Sequence, residues 1–548
     1  MQTQACKHHR TRPPLVSRSP VRLLFLASLL AVSLWTNLAR AQRVEVQEHV
    51  LENGMEFLLL PREGDPNVSV GWMARVGSVN ERPGITGVAH LFEHMMFKGT
   101  HTIGTSNIQE DLRIIGELDA LREQIQAEQE ALIERHRRGL IEDPMDPAQR
   151  SERHKTLLQQ FDELLAQQKN LIIKDEFDRI YKTQGASGIN AFTSNDLTAY
   201  VGNVPSNKLE LWFWMESDRL TNPVFREFYS ERDVVHEERR RSIDSTPTGK
   251  LDEQFEAMFW QSSPYGWPVV GWASDLDGIT REEAVSFFDL YYAPNNLVAA
   301  LVGDFDPKQA IEWAEKYFGR LERGKTAPKP VRTREIEQLG EKRMIGYADT
   351  RPSVSIRYHT VADAHTDEPP LLVLSGVLNG RTGRLYESLV LEQRIATGAS
   401  SGVNGLKYDG YFELSGVARP PHTPEEVERA LYEELEVLKR DLVGDQELRK
   451  VKNQELASDF RRLRSKTRLM NQLLVYEALG SWENINRFSE RIQAVTAQDV
   501  QRVVQKYFRP ENRNVAIYYP KNQRPTARDL ALPDGEDESR EQGQEDPQ

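Results

Sequence analysis

The residues best suited to chemistry stand in one short run, His90-Leu91-Phe92-Glu93-His94. On a helix, positions 90 and 94 lie one turn apart and position 93 sits beside them on the same face. Two imidazoles so placed can bind one metal ion through neutral ring nitrogens. A carboxylate next to them can take a proton from a water on that metal. The order H-x-x-E-H inverts the zincin H-E-x-x-H and is the inverzincin pattern. Catalytic zinc usually takes three protein ligands and leaves one position for water. The chain has a single cysteine, Cys6, so no thiolate cluster is possible and the third ligand must be His, Asp or Glu.

Candidates for that ligand lie in a second helical segment, Glu231-Arg232-Asp233-Val234-Val235-His236-Glu237-Glu238-Arg239. Glu231 and Glu238 are two turns apart and share a face. One carboxylate could reach the metal while the other holds a ligand histidine from behind. His236 and Glu237 compete for the same roles, and a solvated charged helix has the same pattern.

These segments must be positioned by a large scaffold. The chain has 548 residues, 39% of them hydrophobic, which is too long for one core and predicts two or more domains. A net charge of -13 argues against a general nucleic-acid binder. The first residues carry Lys7, Arg10, Arg12, Arg18 and Arg22, then an apolar run from Leu23 to Leu38, then Ala39-Arg40-Ala41. This reads as a secretory leader, residues 1–41, with cleavage expected after Ala41; the alternative is an uncleaved anchor. The run is short for a membrane span, so no stable span is expected after cleavage. Cleavage would also remove Cys6, which suits an exported protein.

Two later segments match in their punctuation. Thr280 leads to Pro294 and the apolar run Leu297–Val302; Thr496 leads, at the same spacing, to Pro510 and Val515–Tyr519. Each reads as a capped helix, a proline-marked turn and a strand, and the pair suggests an internal duplication. The halves are expected at 42–327 and 328–520, joined near Pro328-Lys329-Pro330. A disordered, acidic, solvating tail is expected at 521–548. Between the two motif helices, residues 107–174 carry apolar positions at helical spacing: Leu118, Leu121, Ile125 and Leu132, then Leu157, Phe161, Leu164 and Leu171. Asp143-Pro144-Met145-Asp146-Pro147 breaks the pattern. The reading is a long helical hairpin with polar outer faces, extending outward without disturbing a metal site.

Three stretches, GVAHLFEHMMFKGT, GINAFTSNDLTAY and ERDVVHEERR, resemble the pitrilysin, insulysin and mitochondrial processing peptidase family, and do so in the family's order. The resemblance runs from about Val44 to Tyr519. It implies an α+β fold of two homologous domains, each an antiparallel sheet flanked by helices. It implies one zinc per chain on His90, His94 and Glu238, with Glu93 as general base and Glu231 as the supporting acid. It further implies that Asn190, Ala191 and Phe192 lie on an edge strand to which a peptide substrate adds by backbone pairing.

Two departures stand out. His94 and Glu238 are about twice as far apart in sequence as is usual in the family, and the hairpin fills the excess. Many relatives carry an Arg and a Tyr seven residues apart that help bind the scissile carbonyl; Val390 and Thr397 occupy those positions here. The expectation is therefore an exported, periplasmic zinc endopeptidase acting on peptides or unfolded segments, completed by a homologous inactive subunit or a second copy. The rival expectation is a non-catalytic peptide-binding or scaffold subunit.

Overall fold

The computed structural model describes residues 43–524. The leader with its cleavage point after Ala41, and the tail beyond Arg524, lie outside the described residues. Lys521–Gln523, expected to open the tail, instead form one 3-10 turn.

The equal punctuation at Thr280 and Thr496 becomes equal structure. Both threonines close capping boxes, with Glu283 and Asp499, at the heads of helices Arg281–Tyr291 and Ala497–Tyr507. Each helix ends in a proline-led 3-10 turn and passes into a strand. In both turns an asparagine, Asn296 or Asn512, donates to the carbonyl of the preceding tyrosine, Tyr291 or Tyr507, at 2.8 Å. The matching strands hold the same place in two sheets. The first sheet contains β1 (Gln47–Val50), β2 (Glu56–Pro61), β3 (Asn67–Ala74), β4 (Ser187–Thr193), β5 (Thr198–Pro205) and β6 (Leu297–Gly303), in the order β1-β2-β6-β3-β5-β4. The second contains β7 (Lys342–Ala348), β8 (Ser353–Thr360), β9 (Ala396–Gly405), β10 (Gly410–Ala418) and β11 (Arg513–Pro520), in the order β7-β11-β8-β10-β9. The fold is α+β with two homologous halves, as the resemblance implies.

The sheets are not wholly antiparallel. β6 runs parallel to β2, and β11 runs parallel to β7. In each half the last strand returns from a helix rather than a hairpin turn, and such a connection allows parallel pairing. β6, Leu-Val-Ala-Ala-Leu-Val-Gly, is buried throughout, as a central strand covered on both faces must be.

Six helices matter for the site and its support: α1 (Val88–Met95), α2 (Ile108–Arg137), α3 (Glu152–Leu171), α4 (Phe228–Arg239), α5 (Gly249–Phe259) and α6 (Lys466–Leu479). The last two are exchanged between the halves. α6 lies across β3, β5 and β6 of the first sheet, where Thr467 meets Ser69 at 3.0 Å and Glu477 pairs with Arg75 at 2.9 Å. Gly71 leaves room for it, since a Cβ there would stand 2.9 Å from the Met470 sulfur. In return, α5 sets Leu251, Phe255 and Met258 against Met344, Ala516 and Tyr518 of the second sheet. Each half thus covers an apolar sheet face of the other, which ties them together far more strongly than a linker does.

The hairpin differs from its outward-only expectation. α2 and α3 form it, headed by Asn107 and Ser151, whose side chains accept from Glu110 and His154 backbone N–H groups. Its base, however, is part of the first core: Ile114, Leu118, Ile125, Leu157 and Phe161 are buried there. Asp111 and Arg226, both fully buried, pair at 2.8 Å. Arg226 also donates to the carbonyls of Lys98, Thr100 and Ile103, so it fixes the loop that follows α1.

Candidate metal and peptide site

α1 begins at Gly87, whose φ of +89° and crowded surroundings exclude a side chain: a Cβ would come 2.6 Å from the Val270 carbonyl. With no capping side chain of its own, the helix is capped by Glu81. The Glu81 carboxylate accepts from the N–H groups of Gly87 and Ala89, both at 2.8 Å. Asp275 holds the same loop by accepting from Gly84, Thr86 and the Thr86 hydroxyl. These contacts set where His90 and His94 point.

α4 packs against α1 and brings its carboxylates to the imidazoles. Glu238 Oε2 lies 3.7 Å from His90 Nε2 and 3.4 Å from His94 Nε2. One donor atom from each of His90, His94 and Glu238 fits within a span of 4.8 Å. Glu231 takes the other side of His94, 3.4 Å from Nδ1, and is held in turn by Lys98, which also reaches Glu227 at 3.5 Å. The two competitors on α4 are engaged elsewhere. Glu237 binds Arg240 and Arg241, and His236 pairs with Asp277 at 3.1 Å.

The donor set fits a zinc ion. Burial, with His94 nearby, lowers the His90 pKa to about 4, so its imidazole is neutral near pH 7, as a ligand must be. Among the described residues, His90 Nδ1 is buried with no hydrogen-bond partner. Burial also opposes charge on His94, but Glu231, Glu238 and Glu93 outweigh it and raise its pKa. Two nitrogens and one carboxylate oxygen make a common catalytic zinc set. Glu231 is drawn the other way: burial raises its pKa, but His94 and Lys98 overcome that and keep it an anion.

Glu93 faces the edge strand. Burial raises its pKa, which suits a group that must accept a proton, and the Thr193 hydroxyl donates to its Oε2 at 2.7 Å. Asn190, Ala191 and Phe192 lie on β4, which among the described residues pairs only with β5 and closes the sheet on that side. Asn190 is exposed, Ala191 buried and Phe192 half-buried. Val390 and Thr397 are far apart in character: Val390 is buried in the second core within a π-helical turn, and Thr397 is exposed at the start of β9. Sequence reading missed the roles of Glu81, Lys98, Arg226 and Thr193. Lys98 and Thr193 lie inside two of the quoted motifs, whereas Glu81 and Arg226 lie outside all three.

Known proteins share stretches of this chain and its fold. Residues 57–130 match the model of the insulinase family, peptidase family M16, and residues 278–455 match the peptidase M16 inactive domain. The chain is 25% identical to the zinc protease PqqE of Helicobacter pylori over 91% of its own length and 98% of that protein's. It is 21% identical to the zinc protease YmxG of Bacillus subtilis over 88% of itself and all of that protein. Among solved structures, a protease from Helicobacter pylori superimposes with a TM-score of 0.70 at 24% identity, covering 87% of this chain and 99% of that one. The periplasmic protease PqqL from Escherichia coli gives 0.64 at 18%, over 87% of this chain and 48% of that one. These likenesses in structure concern the fold. The chain thus matches both M16 family models, in order, along one duplicated α+β scaffold, and is similar to the insulinase family of peptidases.

Proposed function

We propose that this chain is a zinc-dependent endopeptidase, with His90, His94 and Glu238 as metal ligands and Glu93 as general base. The observation that carries the reading is the approach of those three donor sets to within 4.8 Å, with the Glu93 carboxylate beside them. A bound zinc would supply the Lewis acidity that activates water and polarises a peptide carbonyl. Glu93 takes the water's proton and hands it to the leaving amine. Glu231 orients His94 through Nδ1, so that Nε2 faces the metal position. Asn190, Ala191 and Phe192 offer the free edge of β4 to an extended peptide, whose main-chain pairing is indifferent to sequence. That chemistry fits peptides or unfolded segments better than folded proteins.

Within this reading, the leader at 1–41 exports the chain to the periplasm, and the halves 42–327 and 328–520 are catalytic and non-catalytic. A homologous subunit supplies the carbonyl donors that Val390 and Thr397 do not. Those two residues, and the match of 278–455 to an inactive domain, also favour a second reading, a non-catalytic peptide-binding or scaffold subunit. Elemental analysis separates them. Purified chain is expected to hold one zinc, and His90→Ala or Glu238→Ala chain none. Wild-type chain without zinc after growth in zinc-replete medium would overturn the first reading.

A further inference from the structure

We infer that Thr193 is a positioning residue that holds Glu93 against the end of the edge strand, so that the base and the strand receiving the peptide keep one fixed geometry. The inference rests on Glu93 acting as the base.

A glutamate has three rotatable side-chain bonds, and a half-buried one facing a cleft has no fixed orientation unless something binds its carboxylate. Thr193 does so: its hydroxyl donates to Glu93 Oε2 at 2.7 Å. Thr193 is the last residue of β4, two positions beyond Ala191, and pairs with Thr198 on β5. A peptide adding to β4 therefore meets a strand whose final residue already grips the base.

The grip is useful only if Thr193 is itself fixed, and the turn that follows it is held from two sides. Ser78 and Val79 donate their N–H groups to the carbonyls of Ser194 and Asn195 at 3.2 and 2.9 Å. Gly77 is required for that approach, because a Cβ there would stand 2.3 Å from the Ser194 carbonyl. From the second half, the Lys407 N–H donates to the buried Asp196 carboxylate at 3.2 Å, and from the first half the Tyr265 hydroxyl donates to its other oxygen at 2.7 Å. The β4–β5 turn is thus pinned by residues that precede α1 and by the β9–β10 turn. Glu93, the edge strand and the second half form one continuous chain of contacts.

The test uses zinc-loaded full-length protein, with its partner subunit where the chain alone is inactive, and a quenched fluorescent peptide. Thr193→Val keeps the shape and removes the hydroxyl. It is expected to lower kcat by ~10–100-fold, the usual loss when a group orienting a catalytic residue is removed. KM, zinc content and thermal midpoint should stay at wild-type values. Thr193→Ser, which keeps the donor, should restore most of kcat. In a crystal structure of Thr193→Val the Glu93 carboxylate should have turned from its 2.7 Å position. Wild-type kcat in Thr193→Val, alongside an inactive Glu93→Gln, would overturn the inference and leave the role of Glu93 intact. So would an unmoved Glu93 in the variant structure, or a kcat loss that Thr193→Ser shares. A Glu93→Gln protein at wild-type rate would instead refute the reading on which the inference rests.

Discussion

Asp111→Ala should be among the most damaging single changes in this protein, although Asp111 lies on the helical hairpin, away from the metal ligands. The guanidinium of Arg226 is fully buried, and its Nε donates to Asp111 Oδ2 at 2.8 Å. The remaining donors go to the carbonyls of Lys98, Thr100 and Ile103. Those carbonyls solvate the cation, but only Asp111 neutralises it. Removing one partner of a buried pair costs about 3–5 kcal/mol. Gln168, which donates to Asp111 Oδ1 at 2.9 Å, loses its acceptor as well, for about 1–3 kcal/mol more. Against a total stability of about 5–15 kcal/mol, that is a large fraction. Asp119→Ala makes a matched control on the same helix. Its partners Arg281 and Tyr229 are at 2.8 and 2.9 Å, but the Arg281–Asp119 pair is partly exposed, and such pairs contribute about 1 kcal/mol or less. Urea unfolding followed by tryptophan fluorescence gives the two losses side by side. Zinc retention after dialysis reports whether the loop behind His94 has loosened. A loss for Asp111→Ala no larger than for Asp119→Ala would refute the argument that the hairpin base is part of the site's support.

In zinc titration with a chelating dye, Glu238→Ala should abolish tight binding, Glu231→Ala should weaken it by ~10–100-fold, and Glu237→Ala should leave it unchanged, since Glu237 is bound to Arg240 and Arg241; a larger loss at Glu237 than at Glu238 would reverse the assignment. Val390→Arg should lower the thermal midpoint strongly, because Val390 is buried among apolar residues and a buried unpaired guanidinium costs several kcal/mol; the exposed Thr397→Tyr should be nearly neutral. Glu368 is buried, and this, with Asp363 and Glu455 adding to it and Arg491 opposing, raises its pKa from 4.5 to about 8. The folded state keeps that proton where the unfolded state has lost it, so this group's contribution falls as pH rises from about 4.5 to about 8. Unfolding of Glu368→Gln and wild type across that range should show the variant gaining on wild type toward pH 8, and a constant difference would contradict it.

What the sequence made legible was local. H-x-x-E-H marks three candidate site residues because a helical turn is a fixed length, and the same rule puts Glu231 and Glu238 on one face. The duplication was readable because capping boxes and proline turns act over a few residues, as Thr280 and Thr496 illustrate. The sheet order was not readable, and with it the parallel pairs of β2 with β6 and β7 with β11. Such pairing depends on where a long connection returns. Nor was the exchange of α5 and α6 between the halves, since nothing in either helix's own sequence names the sheet it covers. Glu81 and Arg226 were invisible for a related reason. Each acts on backbone groups brought near only by the fold, and a capping carboxylate six residues before its helix follows no known spacing. The hairpin misled in one respect: periodicity shows that a helix has an apolar face, but not that its first turns enter the neighbouring core.

The central claim is that Glu93 is the base of a metal-dependent hydrolysis and not itself a ligand. Its most direct test is the rate of peptide cleavage by purified Glu93→Gln protein, measured beside wild type with zinc content determined on both samples. The account predicts one zinc per chain in each and cleavage only in the wild-type preparation, with its partner subunit present. Cleavage by Glu93→Gln at the wild-type rate would contradict it, as would loss of zinc from Glu93→Gln equal to that from His94→Ala.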